Sequence, residues 1–210
     1  MNAMLDRAFE FILEHYIEPV EEGTAEIVKE LVRILQDTEY AFVGGLAVSL
    51  YYSGARPVSP GDIDIKVPQD EVSKVVELIT KNGWKLLRRN QFMDGAWYVF
   101  RKGAQNLDLG IAQKPWEIEG IKKAKSFVYR GIRIKVLPPE YLIVTKLFAG
   151  RGKDFGDVVY LLKSGNVDIR KARALVKKFI PQYLDDFETM REYAKTFDDD
   201  EIRRIFEGGL

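Results

Sequence analysis

The chain has no cysteine and one histidine, His15. Disulfides, thiolate metal sites and cysteine nucleophiles are therefore excluded. A His-rich metal centre is impossible, and a Ser-His triad has almost nothing to draw on. An excess of one charge is also missing: Lys and Arg total 32, Asp and Glu total 32, and the formal net charge is zero. This balance argues against a general polyanion-coating protein but leaves room for a local basic patch. Apolar runs of membrane-spanning length are lacking too. The opening stretch, "MNAMLDRAFEFILEHYIE", sets acidic residues inside an apolar helical pattern and carries no small-residue cleavage site, so it reads as an amphipathic helix and not a signal peptide. The expectation is a cytoplasmic protein with no membrane partner. High charge, no cysteine and modest Asn and Gln content also fit a thermophile. Chemistry is left to carboxylates, lysines, hydroxyls and a bound metal.

What is present is an ordinary globular composition, 46% hydrophobic and 30% charged over 210 residues, enough for one core domain with an appendage. Leu5, Phe9, Ile12 and Tyr16 mark a first helix, and Ile27, Leu31, Ile34 and Leu35 the inward face of a second. "YAFVGG" is a short buried strand, "LAVSLYYSG" a helix stopping at Gly54, and "DIDIKVP" a strand closed by Pro68. "EVSKVVELITKNG" is an amphipathic helix ending near Gly83. The strand candidates "WKLLRR", "WYVFRKG" and "QNLDLGIA" follow, then a strand pair in "KSFVYRGIRIKVL" bent at Gly131. "PPEYLIVTKLFAG" and "KDFGDVVYLLKSG" read as helices, followed by "VDIRKARALVKKFI" and "PQYLDDFETMREYAKTF". The order predicts an α+β fold: a helical extension over 1–38, a β/α core over 39–165 and a second helical extension over 166–210.

Strands avoid aspartate, yet "GDIDIKVP" alternates Ile63, Ile65 and Val67 with Asp62, Asp64 and Lys66. Period-two alternation sets both aspartates on one face, about 7 Å apart along the strand. Two like charges there cost energy unless a cation joins them, and Mg²⁺ favours one or two carboxylates plus substrate phosphates. Gly44 and Gly45 lie between an apolar strand and a helix, where backbone N–H groups can hold a phosphate. In "QNLDLGIA" Asp108 again stands on the polar face of a strand. Three converging carboxylates hold two divalent ions roughly 4 Å apart, the arrangement that clamps attacking and leaving oxygens in phosphoryl or nucleotidyl transfer. Taken singly, each feature has a plainer reading: a solvated strand face, a tight strand-to-helix turn, a lone surface aspartate.

Together, "FVGGLAVSLYYSGARPVSPGDIDI" and "PPEYLIVTKLFAGRGKDFGDVVYLL" resemble the nucleotidyltransferase (DNA polymerase β-like) superfamily, and within it the small prokaryotic group that includes abortive-infection toxins. The resemblance runs from Tyr40 to Lys163, with Pro60-Gly61 lengthening the loop after Ser59 by a residue. It implies a small mixed sheet of the nucleotidyltransferase type with helices packed on it. Asp62, Asp64 and Asp108 are implied as metal ligands, with two Mg²⁺ or Mn²⁺ ions and Asp108 drawing the acceptor's proton. Gly44 and Gly45, with Ser49 near, are implied to contact the triphosphate, and Lys146 a phosphate. Arg151 and Lys153 are implied to serve phosphates or the acceptor, positioned by Asp154 and Asp157. The partners implied are a nucleoside triphosphate, an acceptor (RNA, protein or small molecule) and, for a toxin, an antitoxin. An inactive nucleotide-binding or protein-interaction module with the same fold is the alternative. Arg151 to Asp157 also read as an ordinary helix start. The basic face of "DIRKARALVKKF" reads as solvated, and Tyr51-Tyr52 and Trp97-Tyr98 as core.

Overall fold

The computed structural model describes residues 22–52, 62–92, 95–129 and 131–196. The expected first helix with His15, the Gly54 stop and the loop around Ser59 lie outside these residues.

The described residues are an α+β arrangement. In chain order they form α1 (Glu22–Ile34), β1 (Ala41–Phe42), α2 (Gly44–Tyr51), β2 (Asp62–Pro68), α3 (Val72–Lys81), β3 (Lys85–Phe92), β4 (Gly95–Lys102), β5 (Gln105–Ala112), α4 (Pro115–Lys122), β6 (Lys125–Tyr129) and β7 (Ile132–Val136). Then come α5 (Pro139–Ala149), α6 (Gly152–Lys163), α7 (Ile169–Phe179), a 3₁₀ turn (Pro181–Tyr183) and α8 (Leu184–Thr196). They divide into a sheet unit, 22–47 with 62–138, and a helical unit, 48–52 with 139–196.

In the sheet unit the seven strands run β3-β4-β5-β2-β1-β7-β6. β3, β4 and β5 form an antiparallel meander. β5 then lies parallel to β2, and β1 joins β2 antiparallel and β7 parallel. The alternation that marks β2 and β5 sends Ile63, Ile65, Val67, Leu107 and Leu109 to one face, where all five have no solvent exposure. Each such burial is worth about 1.5–3 kcal/mol. α1 and α3 pack on each other, with Val28, Leu31, Leu35, Val75 and Ile79 buried. Glu30 of α1 accepts from Trp84 Nε1 at 3.1 Å and from Lys102 Nζ at 2.7 Å, which ties the helix to the meander.

β3 contains one irregularity. Leu86 pairs with Phe100 and Arg88 with Val99, so Leu87 is an extra residue without an opposite number. Such a bulge re-aims the side chains that follow it.

In the helical unit α5 packs against α6 and α7, and α8 against α6 and α7. α7 buries Ala172, Leu175 and Val176 while Arg170, Arg173, Lys177 and Lys178 are exposed, the solvated basic face expected from its pattern. Tyr51 is buried, and Tyr52 stacks on Tyr160 with centroids 5.7 Å apart. Burial, with a smaller contribution from the nearby Glu140 carboxylate, pushes the Tyr51 hydroxyl well above its ordinary range.

Candidate active site

Strand β2 brings the site together because its polar face has a partner. β2 and β5 run parallel and in register, Asp62 opposite Asn106, Asp64 opposite Asp108 and Lys66 opposite Gly110. Adjacent strands are about 4.8 Å apart, so two carboxylates 44 positions apart in the chain become neighbours on one sheet face. Both Asp64 and Asp108 are partly exposed, on the face away from the apolar core. Asp62 opens β2 in the same register; its side chain lies outside the described set.

A glycine sits directly against Asp64. Gly44 opens α2 at φ +64°, a left-handed conformation that L side chains rarely adopt. A Cβ at this position would lie 2.5 Å from the Asp64 Cγ and 2.8 Å from its Cβ, with Oδ2 closer still. The neighbouring Val43 N–H donates to the Asp64 carbonyl at 3.0 Å. The β1–α2 corner and the Asp64 carboxylate are therefore packed backbone to side chain, with no room for anything but hydrogen at position 44.

The next residue on this face is held in its turn. Lys66 crosses the bare Gly110, whose added Cβ would lie 3.2 Å from the Lys66 Cγ, and forms an ion pair with Glu117 of α4. Glu117 is 5% exposed. It also accepts from the backbone N–H of Gln113 at 3.0 Å and of Lys114 at 3.1 Å, capping the helix it belongs to. Lys66 is thus drawn towards Glu117 of α4.

No family model and no curated protein matches the sequence. Solved structures do. The antibiotic-resistance factor ANT(2'')-Ia aligns with 81% of this chain and 98% of its own at a TM-score of 0.56 and 14% identity. The chain has the nucleotidyltransferase fold. Looser likenesses are to a putative nucleotidyltransferase from Thermotoga maritima, with 65% and 89% of the two chains covered, 15% identity and a TM-score of 0.48. Another, from H. pylori, covers 87% and 91% at 22% identity and a TM-score of 0.44.

Within this nucleotidyltransferase fold the helical unit carries the second group of expected residues. Lys146 of α5, 5% exposed, pairs with Asp154 at 3.1 Å and Asp157 at 2.6 Å, and both aspartates are fully buried. Arg151 Nε donates to Asp154 at 2.6 Å while 61% of the Arg151 side chain is exposed. Burial would raise the Asp154 carboxyl, but Lys146 and then Arg151 outweigh it and hold it below the usual carboxylate range. Two cations and two carboxylates thus meet here, and of the four only Arg151 is largely exposed. Lys153 is partly exposed on the first turn of α6. Gly45 and Ser49 lie on α2, Gly45 beside Gly44 and Ser49 four positions further along.

Two participants escaped the sequence reading, Glu117 and Trp97. The segment "PWEIEGIK" is only 8 residues long and carries a glycine, so no stripe announces it, although Pro115 at the first turn and Glu117 two places on are a helix-start signal. Trp97 is not core: it is partly exposed, opposite Gly110 on the carboxylate face.

The donor set suits a hard cation. Asp64 and Asp108 offer only oxygen ligands, on rigid strands, and a Mg²⁺ ion characteristically takes one or two carboxylates with the rest from phosphate and water. Among the described residues no three His, Cys, Asp or Glu side chains gather into a metal site. None of the described helices is long and apolar enough to cross a membrane.

Proposed function

We propose that the chain is a metal-dependent nucleotidyltransferase that moves a nucleoside monophosphate from a nucleoside triphosphate to a hydroxyl of an RNA, protein or small-molecule acceptor. The observation that supports this most is the in-register pair Asp64–Asp108, with Asp64 packed against the left-handed Gly44. A structural aspartate pair gains nothing from a bare backbone pressed against it, whereas a site for a charged triphosphate does.

Asp62, Asp64 and Asp108 would hold the ions, two Mg²⁺ or Mn²⁺; when bound, these polarise phosphoryl oxygens and offset developing charge. The N–H groups of Gly44 and Gly45, at the positive end of α2, hold the triphosphate, with Ser49 on the same helix. Asp108 accepts the proton of the acceptor hydroxyl as that oxygen attacks the α-phosphorus. The new O–P bond forms, the bridging bond from the α-phosphorus to the β-phosphate oxygen breaks, and pyrophosphate leaves opposite the attack. The proton passes from Asp108 to water. Arg151, whose side chain is largely exposed, and Lys153 are carried from the sequence resemblance as phosphate or acceptor cations, while Lys146, expected from the resemblance to reach a phosphate, is buried against Asp154 and Asp157 and serves to hold the start of α6.

Equilibrium binding of ATP, CTP, GTP and UTP, each with and without Mg²⁺, to the wild type and to Asp64→Asn tests this. Metal-dependent binding of one or more nucleotides, lost in Asp64→Asn, is expected, and the strongest binder names the base. Binding that ignores both the metal and the substitution would convert the chain to a nucleotide-binding module, and no binding to a protein-interaction module. A toxin role with an antitoxin partner rests on the resemblance. It requires growth arrest on expression of the wild type and none with Asp64→Asn.

A further inference from the structure

The acceptor end of the site is written into the sheet beside the carboxylates. The rows of opposed residues run on from β2 and β5 across β4 to the edge strand β3. One row is Asp62, Asn106, Arg101, Lys85; the next is Asp64, Asp108, Val99, Arg88; the third is Lys66, Gly110, Trp97, Asn90. Opposed residues share a face, so the carboxylate face continues for three strand spacings, about 14 Å, into Lys85, Arg88, Arg101, Asn90 and Trp97, which surround the buried Val99 at its centre.

Three observations give this surface its chemistry. First, β3 and β4 carry Lys85, Arg88, Arg89, Arg101 and Lys102 and no carboxylate, in a chain whose formal net charge is zero. Second, the bulge at Leu87 decides which cations face the site. In an unbulged strand Lys85 would share its face with Leu87 and Arg89; the extra residue substitutes Arg88 and Asn90. Arg89 is turned to the other face, where its guanidinium lies 5.3 Å from the Tyr98 ring centroid, and Lys102 is held there by Glu30. Third, Lys85, Arg88 and Arg101 are exposed and Trp97 is partly so, and Arg101 Nε is aimed along the face by the Asn106 Oδ1 at 2.9 Å.

We infer that the β3–β4 face binds a single-stranded RNA whose terminal hydroxyl is the acceptor, its phosphates on Lys85, Arg88 and Arg101 and a base on Trp97. This rests on the transfer reading for the identity of the reaction, not for the binding itself. Exposed cations along one face plus an aromatic ring are what a sequence-tolerant strand site requires. A cationic small molecule would need carboxylates here, and the hairpin strands have none.

The test is fluorescence anisotropy of a 12-nucleotide single-stranded RNA with a free 3′ hydroxyl, with nucleotide and metal absent, over a range of salt. Three phosphate contacts on a single strand predict a slope of log K against log salt of about −2. Arg88→Gln with Arg101→Gln is expected to bring the slope below −1 in magnitude and to weaken binding at least tenfold. Trp97→Ala is expected to weaken it about 5- to 150-fold with the slope unchanged, and Trp97→Phe to restore most of the loss. Melting temperatures within a few degrees of wild type certify the variants' folds. Equal binding of wild type and the arginine double variant, equal binding of polyglutamate, or no RNA binding at low salt overturns the inference. If metal-dependent nucleotide binding persists in that case, the transfer reading stands and only the acceptor is wrong.

Discussion

Gly44→Ala is the most economical probe of the site, because two costs act at one atom and a second glycine separates them. A left-handed backbone costs a residue with a Cβ roughly 1–2 kcal/mol, and Gly44 has φ +64°. Gly131 has φ +80° and nothing within 4 Å of an added Cβ, so Gly131→Ala meets the backbone cost alone. For a chain of this size that is a melting-temperature drop of about 2–8 °C. Gly44→Ala meets the same cost and also a Cβ only 2.5 Å from the Asp64 Cγ. Either Asp64 swings away or the β1–α2 corner retreats by about an ångström, and a displacement of that size costs on the order of 100-fold where geometry matters. The assays are thermal melting and Mg²⁺-nucleotide titration of both variants. A larger melting shift in Gly44→Ala than in Gly131→Ala, with nucleotide binding lost only in Gly44→Ala, is expected. A Gly44→Ala protein that melts like Gly131→Ala and binds Mg²⁺-nucleotide like wild type would refute the role given to the Gly44–Asp64 contact.

Two further predictions concern the helical unit. Lys146→Met leaves Asp157 and part of Asp154 as buried charges without their cation, a loss of about 3–5 kcal/mol that thermal melting will record as a fall of at least about 6 °C. Asp154 has a folded-state pKa below its unfolded value, so its contribution is fully present above the unfolded value of about 3.9 and is lost as pH falls through the lower folded value. Melting from pH 6 to pH 2 should show wild type falling more steeply than Asp154→Asn below about pH 4, and parallel curves would contradict the assignment.

The alternation of Ile63, Ile65 and Val67 with Asp62, Asp64 and Lys66 was enough to find β2 and its face, and the same held for β5. The adjacency of Asp64 and Asp108 was not legible, because pairing across an intervening helix and hairpin is set by the whole sheet and not by local period. A shift of one residue would have sent Asp108 into the core, and only the packing of Leu107 and Leu109 forbids it. The bulge at Leu87 was equally hidden: "KLLRRNQF" contains no glycine to announce it. That is why Arg88 read as an unremarkable surface charge; the face of Trp97 is set by its pairing with Gly110 across β4 and β5, which is equally non-local. α4 was missed because its capping glutamate is spent on Lys66 and on the backbone while its apolar stripe is short.

The order of strands has a further consequence for how this protein behaves at high concentration. β3 is an edge of the sheet, and its bulge leaves Leu86 and Leu87 46% and 45% exposed, apolar groups on a row of backbone donors and acceptors open to another chain. Lys85, Arg88 and Arg89 on that strand, and the bulge itself, are the devices that keep such an edge from templating a neighbour's strand. The cations assigned to acceptor binding therefore also guard against aggregation. A lineage that changed its acceptor by neutralising Arg88 would have to find its solubility elsewhere, so the specificity of this surface is tied to the colloidal stability of the whole molecule.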